Sequence, residues 1–275
     1  MIPAVRALSR AAMAARPVPL SDPRLHAARH SRSDAGYLVP VEVFREFAER
    51  LTDPRRKGGA PAVLCVNGRR WPRARSVYYD TCDLRFFHDG ADVGGGRLAV
   101  RERSYEDTGA RQLEIKVRRP GGTVVERLPL APGATALDDG PRDALTAALR
   151  AHGGQESAPA LRPTLEAERQ RVTFVAEGQR VTCDAGITCR DPETGEAVRS
   201  DGGLVLVRVR SGQEADGSTG PPSDAHGLLR EHGLRPAAFG TYRMGLGALR
   251  PGLLAADAPE RPALRAVFPR AVAGV

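Results

Sequence analysis

Apolar and polar residues alternate along much of this chain with a period of two, and many of the polar positions are basic. In GGGRLAVRERSY (94–105), Arg97, Arg101 and Arg103 share one parity, while Leu98 and Val100 take the other. Side chains on a strand point alternately to opposite faces, so the segment predicts a strand with one cationic and one apolar face. RQLEIKVRR (111–119) repeats the division, with Gln112, Glu114, Lys116 and Arg118 against Leu113, Ile115 and Val117. Arg180, Thr182 and Asp184 stand against Val181 and Cys183, and Arg208 and Arg210 against Val205, Val207 and Val209. Arg169 and Arg171 share a parity, as do Val125 and Arg127.

The remaining pattern supplies the other elements. SDAGYLVP (33–40) predicts a strand stopped by proline, and PVEVFREFAERL (40–51) a helix with Val43, Phe44, Phe47 and Leu51 on one face. RSVYYDT (75–81) predicts a strand, and TVVERLPL (123–130) closes a β-meander after a Pro-Gly-Gly turn. PRDALTAALRAHG (141–153) predicts a helix stopped by Gly153. A hairpin over 164–189 turns near Gly178, GGLVLVRVRSG (202–212) is a strand, and DAHGLLREHG (224–233) a short helix. Strands in succession without βαβ alternation predict an α+β fold: an antiparallel β-barrel with helices packed outside. The helices would cover the apolar face and leave the charged face to line the lumen. An open sheet with its charged face in water is the alternative. The barrel is favoured because like charges at cross-strand distance repel unless an anion lies between them.

Composition narrows the chemistry. The 275 residues carry a net charge of +8, which suits polyanionic partners. Lys57 and Lys116 are the only lysines, so nearly all the positive charge is guanidinium, which grips phosphate bidentately. Cys65, Cys82, Cys183 and Cys189 show no zinc spacing and predict small buried side chains in a reducing, cytoplasmic setting. No apolar run is long enough to cross a bilayer. Residues 1–31 predict a basic disordered tail, 32–250 one domain, and 251–275 a poorly ordered tail. The scattered histidines predict surface positions, DVGGGR (92–97) a hairpin turn, and Asp80 and Asp83 caps at a strand end. Aromatics make up 5%, and none alternates with the strand arginines, which argues against nucleic acid as ligand and ranks a nucleic-acid-binding β-barrel last.

Several words of the sequence resemble the VTC domain, the polyphosphate-polymerase branch of the triphosphate tunnel, or CYTH-like, superfamily. RSDAGYLVP stands where the family has RxExKYLVP, and SVYYDTCDLRFF where it has SVYFDTxDLxxY. AVRERSY, LEIKVR, RPTLEAERQR, RVTCD, RVRS and FGTY follow in the family's order and spacing. The resemblance runs from about Arg32 to Gly245. It implies an eight-stranded tunnel that holds polyphosphate or a nucleoside triphosphate, with a divalent Mn²⁺ or Mg²⁺ assisting transfer of the ATP γ-phosphate to polyphosphate. By that resemblance Arg101, Arg103, Lys116 and Arg171 are phosphate-binding, with Arg127 and Arg180 as additions, and the strand alternation adds Arg208 and Arg210 as further phosphate-binding candidates. Four positions depart from the family pattern. Its first-strand lysine is Gly36, the lysine of SKY is Thr241, a tyrosine is Arg169, and the metal-binding glutamate is Arg208. A guanidinium cannot ligate a divalent cation, which leaves Glu114 and Asp184 as candidate metal ligands or as counter-ions. A catalytically degenerate binding module is therefore the alternative to a polymerase, and either is compatible with a membrane-protein partner.

Overall fold

The computed structural model describes residues 2–24, 33–56, 59–89, 98–106, 109–119, 122–131, 133–135, 137–151, 160–176, 178–211 and 224–272. In chain order the elements begin with α1 (Pro3–Ala14), β1 (Pro17–Val18), β2 (Ser33–Pro40), α2 (Val41–Thr52), β3 (Ala62–Leu64), β4 (Arg73–Asp80) and α3 (Arg85–Asp89). The meander β5 (Leu98–Tyr105), β6 (Arg111–Arg119) and β7 (Gly122–Pro129) leads into α4 (Asp139–Ala151). β8 (Arg162–Ala176), β9 (Gln179–Arg190), β10 (Ala197–Arg199) and β11 (Leu204–Ser211) complete the strands. α5 (Asp224–Glu231), α6 (Thr241–Leu249), α7 (Arg261–Val267) and α8 (Pro269–Val272) end the chain. Arg97, the DVGGGR turn and the Gly153 stop lie outside the described residues.

The described chain forms two compact units. The first holds Met1–Arg73, Arg169–Ile187 and Ser200–Ala237, the second Ala74–Glu168, Thr188–Arg199 and Ala238–Val275. The long strands β8 and β9 run from one into the other.

In the first unit β2, β11, β9 and β8 are successive neighbours, β3 adds to β8, and β1 pairs with β3 in parallel. Gly178 turns the β8–β9 hairpin with φ +61°, a left-handed conformation that glycine adopts without strain. Tyr37, Val172, Phe174, Val181, Cys183, Val205, Val207 and Val209 fall on one sheet face and are buried with Phe44, Phe47, Leu51 and Leu229 of α2 and α5. Each such side chain contributes ~1.5–3 kcal/mol on burial, so this face anchors the unit. Residues 3–14, expected as disordered tail, are α1. Pro3 starts the helix, and Ala4, Ala7, Leu8, Ala11 and Ala12 at helical spacing bury against α2 and β11. The approach is close: a Cβ on Gly186 would lie 3.0 Å from a Val5 methyl.

In the second unit β8, β4, β5, β6 and β7 are successive neighbours, and β10 pairs with β9. Val77, Val100, Leu113, Ile115 and Val117 bury against Leu145, Ala148 and Leu149 of α4 and Phe86 of α3. The Asp80 carboxylate accepts from the backbone N–H groups of Thr81, Phe86 and Phe87 at 2.8, 2.9 and 2.9 Å, which fixes the strand end and starts α3. The C-terminal tail expected from 251 is instead α7 and α8, with Leu264, Val267 and Phe268 buried. The fold class is the α+β arrangement that the alternation predicts. Among the described residues β2 and β7 each have one ladder neighbour, however, so the sheet is not strictly closed there.

Candidate functional site

Register decides which charged side chains meet. In the first unit Arg208 lies opposite Gly36 on β2 and Thr182 on β9, and Arg210 lies opposite Asp34 and Arg180. All sit on the face turned away from the valine core. Asp34 Oδ2 receives Arg210 Nε at 3.1 Å and lies 3.5 Å from Arg208 Nη1. Asp184 is gripped bidentately by Arg171, with Nε and Nη2 each donating at 2.6 Å, and Arg169 Nε is 3.6 Å away. Five guanidiniums thus share a face with two carboxylates. Burial lowers the pKa of Arg210, Asp34 pulls it back up, and the neighbouring charges of Arg208 and Arg171 lower it again.

In the second unit Glu114 is the hub. It lies between Arg101 on β5 and Arg127 on β7 in the ladders. Arg101 Nε donates to Oε2 at 2.7 Å, with a second bond from Nη2. Gln112 Nε2 and Arg127 Nε donate to Oε1 at 2.9 and 3.3 Å, and Arg103 Nη1 lies 3.7 Å from the same oxygen. Burial alone would raise the Glu114 carboxyl, but Arg101, Arg103 and Arg127 outweigh it and hold it well below the usual carboxylate range. Arg101 is pushed down by burial and, more strongly, up by Glu114 and the Tyr78 hydroxyl. Arg103 stacks over the Tyr105 ring at 4.8 Å. Lys116 shares the parity of Glu114, two residues along β6. Three guanidiniums here share one carboxylate.

Every phosphate-binding position suggested by the sequence falls on one of these two basic faces: Arg101, Arg103, Lys116 and Arg127 on one, Arg171, Arg180, Arg208 and Arg210 on the other. The candidate metal ligands are each engaged by basic side chains. Both oxygens of Glu114 and of Asp184 are taken by guanidinium or amide donors, and no group of three or more His, Cys, Asp or Glu side chains converges among the described residues. A donor set ringed by arginines does not fit Mn²⁺ or Mg²⁺, which require several oxygen ligands.

Sequence reasoning missed Asp34, although it occupies the acidic position of the first-strand motif. It also missed Tyr78, which bonds Arg101 and stacks on Tyr242 with centroids 5.2 Å apart. Tyr242 in turn donates to Asp80 at 2.6 Å. Two expectations need correction. His226 is buried, not a surface histidine, and shares a 2.9 Å hydrogen bond with Tyr37. Of the cysteines only Cys183 and Cys189 are buried, whereas Cys65 is part-exposed and Cys82 exposed. Among the described residues no helix is long and apolar enough to cross a membrane.

The VTC domain model matches residues 37–246. A candidate adenylate cyclase from Bacillus halodurans shares the fold at 14% identity, covering 75% of this chain and 92% of its own, with a TM-score of 0.50. A candidate adenylyl cyclase from Hippeastrum, with a dominant triphosphatase activity, is 15% identical over 77% of this chain and 95% of its own, with a TM-score of 0.41. No curated protein matches the sequence.

Proposed function

The chain belongs to the VTC domain family, and from that premise we propose that it binds triphosphate or polyphosphate through its arginine faces, without a divalent metal and with slow or absent ATP turnover. The observation that carries this reading is the direct cross-strand pairing of Arg210 with Arg180, beside Arg208 on the same face. Like charges opposite one another destabilise a ladder, and a polyanion lying along the face reverses the sign of that interaction. Phosphate oxygens suit guanidinium forks, whose charge-assisted bonds are short and strong.

Phosphoryl transfer needs more than binding. The attacking and leaving oxygens must be held in line, and developing charge must be met by an ion that bridges the phosphates. The arginines here supply charge, but Glu114 and Asp184 are committed to them and leave no oxygen cage for a bridging cation. The active-polymerase reading rests on family membership alone.

The test is calorimetry of tripolyphosphate and long-chain polyphosphate in EDTA and in Mn²⁺, run beside an ATP-turnover assay read as polyphosphate on a gel. Comparable affinity in both buffers without polymer synthesis is expected. Strong metal dependence with brisk synthesis would overturn the proposal and establish the polymerase.

A further inference from the structure

Resting on that reading, we infer that Asp34 is a built-in competitor of the anionic ligand, and that the Arg208–Arg210 pair is the place where carboxylate and phosphate exchange. Three carboxylates hold the arginines of the two faces, and they differ in how firmly they are committed. Glu114 is 2% exposed and meets three arginines and Gln112. The Asp184 side chain is 14% exposed and forked onto Arg171 with two bonds of equal length. Releasing either would strand buried guanidiniums, and such pairs are costly to break.

Asp34 is different on each count. Its side chain is 35% exposed, and a single oxygen serves both Arg210 and Arg208. It stands on β2, whose ladder neighbour among the described residues is β11. Exposed ion pairs contribute little to stability, so this carboxylate can turn towards water at small cost. The two arginines it would leave are themselves part-exposed, and Arg208 faces a glycine across the ladder, so no β2 side chain opposes it. A phosphate oxygen bound there would lie beside the Asp34 carboxylate. The two anions repel, so each excludes the other.

The groups facing this pair are Asp34 from β2, Arg180 and Asp184 from β9, and Arg169 and Arg171 from β8. Of the two carboxylates named, Asp34 is the more exposed, at 35% against 14% for Asp184. It therefore sets the threshold of charge density that a ligand must exceed, and weakens every ligand by its own occupancy.

Asp34→Asn keeps the size and removes the charge. Calorimetry with tripolyphosphate in EDTA should show affinity raised at least about threefold over the unmodified chain. Asp34→Glu should stay near the unmodified value, because the competing charge remains. Adding Arg208→Ala and Arg210→Ala to Asp34→Asn should abolish the gain. Asp34→Ala serves as a second variant if the amide disturbs β2, with folding checked by circular dichroism. Unchanged or weaker binding in a folded Asp34→Asn chain, with the unmodified chain binding well, would overturn the inference and leave the phosphate-binding reading intact. If neither chain binds tripolyphosphate, the phosphate-binding reading itself has failed and takes the inference with it.

Discussion

Glu114→Gln removes the one carboxylate shared by Arg101, Arg103 and Arg127 and preserves its shape. Its cost can be built from the contacts. Arg101 loses two charge-assisted bonds, together worth ~2–3 kcal/mol after allowing for its partial access to water. Arg103 is buried and loses a charge partner 3.7 Å away, which adds about 1 kcal/mol in a partly screened site. Arg127 is exposed and re-solvates, so its loss is within ~0–1 kcal/mol. A total of about 3–5 kcal/mol corresponds to ~6–20 °C in Tm for a chain of this size. Tripolyphosphate at 100 times its Kd stabilises by ~2.7 kcal/mol and should do so at least as well in the variant, where the anion takes the carboxylate's place. The pH dependence carries the same signature. A carboxyl whose pKa is depressed on folding contributes stability fully present above its unfolded value, about 4.3, and lost as pH falls towards the folded one. The unmodified chain should lose stability below about pH 4.5, and Glu114→Gln should flatten that limb. Thermal unfolding from pH 3 to 7, with and without tripolyphosphate, measures all of this. An unchanged Tm and an unchanged acid limb would show that the three arginines do not depend on Glu114, and the hub would be wrong.

Arg208→Glu replaces a cation of the first unit's basic face by a carboxylate close to Asp34. Tripolyphosphate affinity in EDTA should fall at least about tenfold, or ~1.4 kcal/mol, with partial recovery in Mn²⁺; equal affinity in EDTA would remove Arg208 from the site. Leu8→Ala empties a fully buried position of α1 and should cost ~2–5 kcal/mol in urea unfolding, whereas a disordered tail would lose nothing.

The two faces of the strands were legible because a period of two writes burial directly into the sequence. Val205, Val207 and Val209 could only be one face, and Arg208 and Arg210 only the other. The ends of the chain were not legible. Ala4, Ala7, Ala11 and Ala12 have the spacing of a buried helical face, but in an alanine-rich chain they pass for compositional bias. β1 and β10, at two and three residues, are too short to show alternation at all. Whether Glu114 was ligand or counter-ion was equally hidden, since the answer depends on Arg127 arriving from β7 and Arg103 from β5, and such convergence is set by register.

Register also joins two departures from the family pattern that the sequence shows only separately. The resemblance implies a lysine at Gly36 and a metal-binding glutamate at Arg208, and each replacement alone looks like loss. The ladder puts the two positions directly opposite one another, ~4.8 Å apart in the direction of hydrogen bonding. The cation missing from β2 therefore stands on β11, one strand over and on the same face. What disappears from the pair is the carboxylate, not the positive charge. On the proposed reading, a face altered in that way retains the positive charge that phosphate oxygens would meet and lacks the oxygen donor that a divalent ion would need. Simple decay would be expected to erode both.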